Sequence, residues 1–425
     1  MITARAFAGK HYAVLGLARS GLATVVALLA SGAKVTAWDD KEEARAKAPP
    51  GVEFEDFAGG HLSRFDSIVV TPGLPLNRHP IARRAAKANV EVIGDIELFA
   101  RARPELPPHK VVGITGTNGK STTTALVHHI LKTAGVPTEM GGNIGLPILA
   151  QDPLPEGGVY VLELSSYQID LTKSLDCDVA VLLNITPDHL DRYENFEAYA
   201  ASKMRLFEMQ SADNLSLYPG RTPPELQDVR HTAENWTAYF DDIVVSEQDR
   251  WPALQGPHNL QNVKAATAVC LALDIPARIL LEGERTYPGL PHRMERVAEK
   301  DGVLFVNDSK ATNPTATAPA LAAFEKIRWI CGGQAKTDNL DECAPYFGHV
   351  VKAYTIGEAG EMFASLLSPH MDVAECVTLD EAVRTAASEA QAGDTVLLSP
   401  ACASFDQFRD FEARGDAFRE LVGGL

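Results

Sequence analysis

The segment Val111–Thr122, with the sequence VVGITGTNGKST, constrains this chain more than any other stretch. Its apolar first half is typical of a buried strand, and Lys120 and Ser121 open a helical pattern after a glycine-rich turn. A strand, loop and helix in this order present backbone N–H groups to a phosphate, a lysine adds positive charge, and a hydroxyl can bind Mg²⁺. The pattern predicts a phosphate loop made of Gly116, Thr117, Asn118, Gly119, Lys120, Ser121 and Thr122.

Position 114 departs from the general phosphate-loop pattern. The form G-x-x-x-x-G-K places a glycine there, and this chain has Ile114 between Gly113 and Gly116. The segment is therefore either the loop of a particular subfamily or a chance match.

The charge balance limits the partners of the protein. The 425 residues include 56 acidic and 39 basic side chains, a net charge of −17, which argues against nucleic acid and anionic membranes. Six scattered cysteines without a C-x-x-C pair argue against a zinc site or a disulfide framework. No signal-peptide pattern or membrane-spanning run is recognisable, so we expect a cytoplasmic protein.

Residues 11–40 have the layout of a nucleotide-binding βαβ unit, with a turn at Gly16–Gly21 and an acidic pair, Asp39–Asp40, after the second strand. Ala18 replaces the glycine that lets a pyrophosphate approach the backbone in dinucleotide-binding proteins. A Rossmann-like unit for another nucleotide is therefore favoured over a cofactor dehydrogenase, and a plain structural turn is the alternative. A later strand ends in a similar turn at Gly73.

Polar residues also follow the apolar runs after the phosphate loop. Glu163 lies in the run VYVLEL, where a buried carboxylate needs a metal or a cation beside it, and an ordinary salt bridge is the alternative. His189 follows Asp188 after the next run, as a candidate ligand of a second metal or an ordinary loop histidine. Lys203, on a helix over residues 199–209, has the local sequence of a solvated charge.

Three later segments leave alternatives open. Residues 211–251 are polar and weakly periodic, which favours hairpins and loops. Asn259 and Asn262 precede an apolar helix that they could cap, or they could present amides to a purine. Ser404 and Gln407 have the spacing of a helix capping box.

Beyond residue 290, three further strands end in polar or glycine-rich turns, which predicts a third α/β unit. We therefore predict an α/β protein of three domains. They are a Rossmann-like domain over residues 1–97, a central, mainly parallel domain with the phosphate loop over 98–289, and a Rossmann-like domain over 290–425.

Eight segments together resemble the motifs of the Mur ligases, and most of all of those that add D-glutamate. They are TGTNGKST, LELSSYQID, NITPDHLDRY, AASKMRLF, GPHNLQNVKAA, GLPHRMERV, NDSKATNP and LLSPACASFDQF. The family loop has the form GTNGK[ST], which accounts for Ile114, whereas residues 211–251 carry no recognised motif. The resemblance implies a cytoplasmic ligase, acting as a monomer, that uses ATP to join UDP-N-acetylmuramoyl-L-alanine to D-glutamate. The reaction would pass through an acyl phosphate and a tetrahedral intermediate in the synthesis of peptidoglycan precursors.

The resemblance also implies roles for individual residues. Lys120 would hold the transferred phosphoryl group, while two Mg²⁺ ions would be bound by Ser121, Glu163, His189 and a carbamylated Lys203. The other implied ATP contacts are Asn259 and Asn262 at the adenine, Arg293 at the phosphates and Asp308 at the ribose. The implied contacts of the nucleotide sugar are Leu17, Arg19, Ser20, Gly21, Asp39, Asp40, Gly73 and Asn143. Those of D-glutamate are Lys310, Thr312, Lys336, Ser404 and Phe411.

Other functions stay open at this point. A related ligase could use another amino acid, and a folylpolyglutamate synthetase would share the ATP-binding and C-terminal parts but lacks an N-terminal domain of this kind. A nucleotide-binding regulator without catalysis is a different class of protein. The presence of Lys120, Glu163, His189 and Lys203 argues against it.

Overall fold

Three β-sheets organise the chain in a computed structural model that describes residues 1–188, 192–220, 232–236 and 248–425. The strands of the first sheet are β1 (His11–Leu15), β2 (Lys34–Trp38), β3 (Glu53–Phe54), β4 (Ser67–Val70) and β5 (Glu91–Ile93). They are parallel, in the order β3-β2-β1-β4-β5. Its helices are α1 (Arg19–Ala30), α2 (Glu42–Arg45), α3 (Pro80–Ala88) and α4 (Asp95–Ala102). The chain reverses direction across the sheet between β1 and β4, where open α/β sheets bind ligands.

The second sheet carries the phosphate loop after its central strand. Its strands are β6 (His109–Thr115), β7 (Thr138–Gly142), β8 (Gly158–Glu163), β9 (Val179–Leu182), β10 (Leu215–Tyr218) and β11 (Thr232–Asn235). All are parallel, in the order β11-β10-β9-β6-β8-β7. The helices that follow these strands are α5 (Lys120–Thr133), α6 (Ser166–Asp170), α7 (Phe196–Glu208), α8 (Pro257–Ala272) and α9 (Ala277–Thr286). The order reverses beside β6, so the ends of β8 and β9 flank the loop that follows β6.

The third sheet has one antiparallel edge. Its strands are β12 (Glu295–Lys300), β13 (Val303–Asn307), β14 (Ile327–Gly332), β15 (Val350–Ile356), β16 (Asp372–Val377) and β17 (Thr395–Leu398). In the order β12-β13-β17-β14-β15-β16, β12 runs antiparallel to β13 and the other pairs are parallel. The helices of this part are α10 (Pro314–Ala322), α11 (Gly360–Leu367), α12 (Leu379–Glu389) and α13 (Phe411–Gly423).

Burial of the central strands explains why they read as apolar runs. Every residue of β4, β8, β9, β14 and β17 is buried, as expected for parallel strands covered on both faces. The α/β fold class with parallel sheets is confirmed. No helix of the described chain is long and apolar enough to cross a membrane.

Internal contacts group the chain into two compact units. The first comprises Met1–Asp241 with Asn262–Gly283, and the second comprises Asp242–Gln261 with Glu284–Leu425. One core cluster joins the first two sheets, and Phe99 contacts Tyr160 with ring centroids 5.1 Å apart. The domain boundaries at residues 97 and 289 stay a prediction.

Three local expectations are wrong. The described strands within residues 211–251, β10 and β11, extend the second sheet in parallel and form no hairpin. Asn259 and Asn262 lie inside α8, which begins at Pro257, so neither residue caps it. The turn at Gly16–Gly21 is also shorter than expected, because α1 already begins at Arg19.

Candidate active site

The phosphate loop leaves β6 and enters α5 through a left-handed glycine. Gly119 precedes the helix with φ +85°, a conformation that favours glycine. A side chain there would also collide with Asn262, since a Cβ atom would lie 2.2 Å from its Oδ1. Ser121 and Thr122 are buried in the first turn of α5. The predicted strand, loop and helix are therefore present, with the N-terminus of a 14-residue helix directly after the loop.

Two polar residues after β9, Asn184 and Thr186, hold the shape of this loop, a role that the sequence did not assign to them. The Asn184 side chain accepts a hydrogen bond from the backbone of Asn118 at 2.9 Å and donates one back at 3.1 Å. The backbone N–H of Thr186 donates to the Thr117 hydroxyl at 3.0 Å. That hydroxyl also lies 3.1 Å from the hydroxyl of Tyr199 on α7. The loop is thus held by its neighbouring strand end and by α7.

Lys120 and Lys203 meet at one carbonyl oxygen of the loop. Both ammonium groups donate to the carbonyl of Gly116 at 2.9 Å, and Lys120 also donates to that of Thr117 at 2.8 Å. Lys203 is only 2% exposed, so its assignment as a solvated charge is wrong. Burial, and then the charge of Lys120, lower the pKa of Lys203 to about 7. A substantial share of Lys203 is therefore the neutral, nucleophilic amine near neutral pH.

Glu163 is the last residue of β8 and lies beside the start of the loop. It pairs with Ile114 of β6 and is 2% exposed. One carboxylate oxygen, Oε1, accepts a hydrogen bond from the Asn143 side chain at 2.9 Å. The other, Oε2, is buried without a hydrogen-bond partner among the described residues. The salt-bridge alternative for Glu163 finds no support in this part of the chain, and Asn143, predicted to contact substrate, holds the carboxylate.

The unpaired oxygen is what a hard divalent cation would need. Mg²⁺ is commonly bound by one or two protein oxygens together with phosphate and water, so it does not need a closed set of side chains. Accordingly, the described residues contain no cluster of three histidine, cysteine or acidic side chains. Glu163 and the hydroxyl of Ser121 fit a magnesium site next to the loop. His189, the predicted ligand of a second ion, lies outside the described residues.

The first sheet forms a cleft of about 530 Å³ at the predicted position, outside the ends of β1, β2 and β4. Four of its lining residues, Gly16, Asp39, Asp40 and Gly73, belong to the predicted set or its turn. The others include Thr71, His79 and Arg84, which the sequence did not single out. The lining residues outside the predicted set come mainly from α3 and from the turns after β3 and β4, so only the folded sheet brings them together.

The acidic residues of this cleft also hold its backbone. Asp39 accepts hydrogen bonds from the N–H groups of Leu17 at 2.7 Å and Lys41 at 2.9 Å. Asp40 accepts one from the Trp38 indole at 3.1 Å. A Cβ atom on Gly21 would lie 1.9 Å from the Gly16 carbonyl oxygen, so glycine is required there.

The remaining predicted contacts in the first unit lie around this turn. Arg19 and Ser20 are in the first turn of α1, and Arg19 donates to the carbonyl of Gly145 at 3.0 Å. Arg192, to which the sequence assigned no role, donates to the carbonyl of Leu74 at 2.9 Å, and its guanidinium carbon lies 4.2 Å from the centre of the Tyr167 ring. It ties the turn after β4 to the segment that precedes α7.

In the second unit, Asp308 lies with Arg293 near the start of the third sheet. Asp308 accepts hydrogen bonds from Ser399 at 2.8 Å and from the N–H of Met294 at 3.1 Å, and burial raises its pKa to about 7. The Nε of Arg293 is buried without a partner in the described chain. On α8, the amide of Asn259 donates to the carbonyl of Gln255 at 3.0 Å.

The residues predicted for D-glutamate come together in pairs. Lys336 donates to the Thr312 hydroxyl at 3.3 Å, and the ammonium of Lys310 lies 5.6 Å from the centre of the Phe411 ring. Ser404 is buried in a turn, and the capping-box assignment is wrong, because the next helix begins at Phe411 with Asp410 as its cap. Two lysines in this region suit a ligand with two carboxylates.

Three family models match successive parts of the chain. The model of a MurD-like Mur ligase N-terminal domain matches residues 10–94, the Mur ligase middle domain matches 114–242, and the glutamate ligase domain of Mur ligases matches 292–402.

The chain belongs to the Mur ligase family.

Curated relatives narrow the position of this Mur ligase within the family. A UDP-N-acetylmuramoylalanine–D-glutamate ligase of Novosphingobium aromaticivorans is 61% identical over 429 residues, covering 100% of this chain and 97% of the relative. Ligases of the same name from Sphingopyxis alaskensis and Caulobacter vibrioides are 58% and 44% identical and cover 100% of this chain. The matches cover 100% and 98% of those two proteins.

Solved structures show the same fold at low identity. The UDP-N-acetylmuramate–alanine ligase of Thermotoga maritima has a TM-score of 0.60 and 17% identity, over 98% of this chain and 99% of that one. The MurF ligase of Thermotoga maritima, solved with ADP, has a TM-score of 0.60 and 16% identity, with 98% and 96% covered. FolC of E. coli, also with ADP, has a TM-score of 0.56 and 18% identity over 83% of this chain and 98% of that one. These likenesses confirm the fold of this Mur ligase.

Proposed function

We propose that this Mur ligase uses ATP to join D-glutamate to UDP-N-acetylmuramoyl-L-alanine in the cytoplasm, for peptidoglycan precursor synthesis. The observation that carries the proposal is the position of Glu163, whose unpaired carboxylate oxygen lies at the strand end beside the phosphate loop. The identities of 44 to 61% with curated D-glutamate ligases support the choice of amino acid and nucleotide sugar.

The reaction needs a carboxylate to become an acyl donor. Transfer of the γ-phosphoryl group of ATP to the alanyl carboxylate forms an acyl phosphate and ADP. The amine of D-glutamate then attacks the acyl carbon, and the tetrahedral intermediate collapses to an amide with loss of phosphate. Negative charge gathers on phosphoryl oxygens in the first step, so positive charge and N–H donors placed around them lower the barrier.

This chain supplies those groups around the phosphate loop. The N–H groups of Gly119 and the first turn of α5 would face the phosphates. Lys120 would exchange its bonds to the Gly116 and Thr117 carbonyls for bonds to the transferred phosphoryl group. Thr117, held by Thr186 and Tyr199, would keep the loop in shape during transfer.

Bound magnesium would neutralise charge on the phosphates. Glu163 and Ser121 fit one ion because Glu163 has a buried oxygen without a partner. Asn143 would orient that carboxylate through its bond to Oε1. His189 is proposed for a second ion on the basis of the family motif alone.

We further propose that Lys203 carries a carbamate. Its amine has a pKa of about 7 and lies within reach of the loop carbonyl. The ammonium group first loses one proton to give the neutral amine. The amine then forms an N–C bond with CO₂ and releases a second proton, which gives an anion able to face a metal. Incubation with ¹³C-labelled bicarbonate should give a carbamate resonance in the NMR spectrum, absent from a Lys203→Gln variant. A spectrum of the unsubstituted protein without that resonance would contradict this assignment.

The remaining ligands are assigned to the three sheets. The cleft of the first sheet would take the uridine diphosphate. Asn259, Asn262, Arg293 and Asp308 would contact ATP, and the paired lysines Lys310 and Lys336 would contact D-glutamate, with Thr312, Ser404 and Phe411 beside them.

A substrate panel tests the proposal. Phosphate release from ATP is followed with UDP-N-acetylmuramoyl-L-alanine and, in turn, D-glutamate, L-glutamate, L-lysine and diaminopimelate. We expect release only with D-glutamate, and none when either the nucleotide sugar or the amino acid is left out. Equal release with L-lysine would contradict the assigned specificity.

Two rival functions are separated by further arms of the same assay. Release with a folate and glutamate, but not with the nucleotide sugar, would favour a folylpolyglutamate synthetase. A Lys120→Ala variant with unchanged turnover would contradict the role of the loop. Nucleotide binding without turnover in the unsubstituted protein would instead favour a nucleotide-binding regulator.

A further inference from the structure

The cleft of the first sheet is unusually acidic for a site that takes a diphosphate. Asp39, Asp40 and Asp56 all line it. Part of each carboxylate already accepts hydrogen bonds from the protein, which for Asp56 is the N–H of Ala58 at 2.8 Å. An anionic ligand therefore needs a positive group elsewhere in the wall to offset these charges.

Arg84 is that group. Among the residues of the described chain that line the cleft, it is the single lysine or arginine. It lies on α3 and lines the same cleft as Asp39. One end of its guanidinium, Nη2, donates to the carbonyls of Gly59 and Gly60, the latter at 2.8 Å.

The other end of the guanidinium is unused. Nη1 of Arg84 is buried and has no hydrogen-bond partner within the described residues. A buried N–H group without an acceptor is costly, and the guanidinium is planar, so fixing Nη2 also fixes the direction of Nη1. The side chain is thus held in place before any ligand arrives, which reduces the entropy lost on binding.

We propose that Arg84 is a further binding residue for the nucleotide sugar and that its Nη1 donates a hydrogen bond to an oxygen of the uridine diphosphate moiety. The inference rests on the proposed function, because it takes the nucleotide sugar as the ligand of this cleft. The oxygen belongs either to a carbonyl of the base or to the diphosphate, and both are good acceptors for a guanidinium.

Calorimetric titration of the full-length protein with UDP tests this contact. Arg84→Met removes the guanidinium. Arg84→Lys keeps the charge and can still donate to the Gly59 and Gly60 carbonyls, but it lacks the second nitrogen, Nη1, that would donate to the ligand. Arg83→Lys is the matched control, an exposed neighbour on the same helix.

We expect the Kd for UDP to rise about tenfold or more in both Arg84 variants, because each loses one charge-assisted hydrogen bond. The Kd should be unchanged in Arg83→Lys. In turnover assays the KM for the nucleotide sugar should rise, while kcat and the KM values for ATP and D-glutamate stay the same. Titration with uridine, UMP and UDP then locates the oxygen. A loss already present with uridine assigns the base, and a loss confined to UDP assigns the diphosphate.

Two results would overturn the inference while leaving the proposed function intact. One is an Arg84→Lys variant that binds UDP as tightly as the unsubstituted protein. The other is an Arg84→Met variant that raises the KM values for ATP and D-glutamate as much as that for the nucleotide sugar, since Arg84 would then act only through the fold. An unsubstituted protein that does not bind UDP would instead refute the proposed substrate, and this inference with it.

Discussion

Replacing Glu163 by glutamine should stabilise the ligand-free protein and abolish its response to magnesium. The carboxylate is 2% exposed and receives one hydrogen bond, from Asn143, which a glutamine oxygen can also accept. The substitution removes a buried charge whose second oxygen has no partner in the described chain. Because the new amide group is itself left unpaired, we expect a gain of only about 1 kcal/mol in the free energy of unfolding.

Glu97 provides the matched control, since it is a buried glutamate whose two carboxylate oxygens both accept hydrogen bonds. It accepts hydrogen bonds from Arg101 at 2.9 Å, from the N–H of Lys173 at 2.7 Å, and from the N–H and hydroxyl of Ser174, both at 2.9 Å. In Glu97→Gln the amide would point N–H groups at donors and weaken the ion pair with Arg101. We therefore expect a loss of about 3 kcal/mol from the same chemical change.

Thermal unfolding in EDTA, and then with excess Mg²⁺ and a non-hydrolysable ATP analogue, measures both effects. In EDTA the midpoint of Glu163→Gln should lie about 2 °C above that of the unsubstituted protein, while Glu97→Gln lies well below it. Added magnesium nucleotide should raise the midpoint of Glu97→Gln but not of Glu163→Gln, and phosphate release by Glu163→Gln should fall about a hundredfold or more. A Glu163→Gln variant that is less stable in EDTA and still stabilised by magnesium would refute the reasoning, because Glu163 would then be an ordinary structural carboxylate.

Three further predictions concern other parts of the site. Burial raises the pKa of Asp308 to about 7, so the folded state keeps a proton that the unfolded chain releases near pH 4. Stability should therefore fall as the pH rises from about 4 to about 7, and urea unfolding at pH 5 and pH 8 should show that Asp308→Asn removes this dependence. Gly21→Ala should abolish UDP binding and lower the thermal midpoint, since its Cβ would lie 1.9 Å from the Gly16 carbonyl oxygen. Gly73→Ala, with no atom within 4 Å of the added Cβ, should leave the midpoint unchanged, and equal midpoints for the two variants would contradict this steric argument. Arg192→Met should raise the KM for the nucleotide sugar about fivefold at constant kcat, because it removes the hydrogen bonds to the carbonyls of Gly73 and Leu74, and an unchanged KM would show that those bonds do not support the cleft.

The sequence predicts best what depends on neighbouring residues. Strands His11–Leu15 and Thr395–Leu398 have the bounds expected from their apolar runs, and the glycine loop before α5 is where its pattern placed it. Short-range capping rules failed at Asn259 and Ser404, because α8 begins before the first and a turn follows the second. In both places tertiary packing decides where the helix begins, and no local pattern contains that information.

The burial of Lys203 could not be inferred from its helix. A helical lysine is usually solvated, and Lys203 is buried because α7 lies against the phosphate loop. Arg84 and Arg192 were missed for the same reason, since their acceptors are backbone carbonyls, which every residue has. Resemblance to a family identified Lys203, whereas only the folded chain shows why its amine can be neutral.

The two ends of the central site suit the two parts of a magnesium nucleotide. At the loop, the ammonium group of Lys120 and the amine of Lys203 share the carbonyl of Gly116, and burial and then the charge of Lys120 lower the pKa of Lys203. At the end of β8, a carboxylate oxygen of Glu163 lacks a donor in the described chain. Magnesium nucleotide offers a cation to the carboxylate and phosphate oxygens to Lys120, whereas ATP or magnesium alone offers only one of these two contacts. Binding of ATP and of Mg²⁺ should therefore be cooperative beyond their affinity in solution, and the excess should vanish in Glu163→Gln.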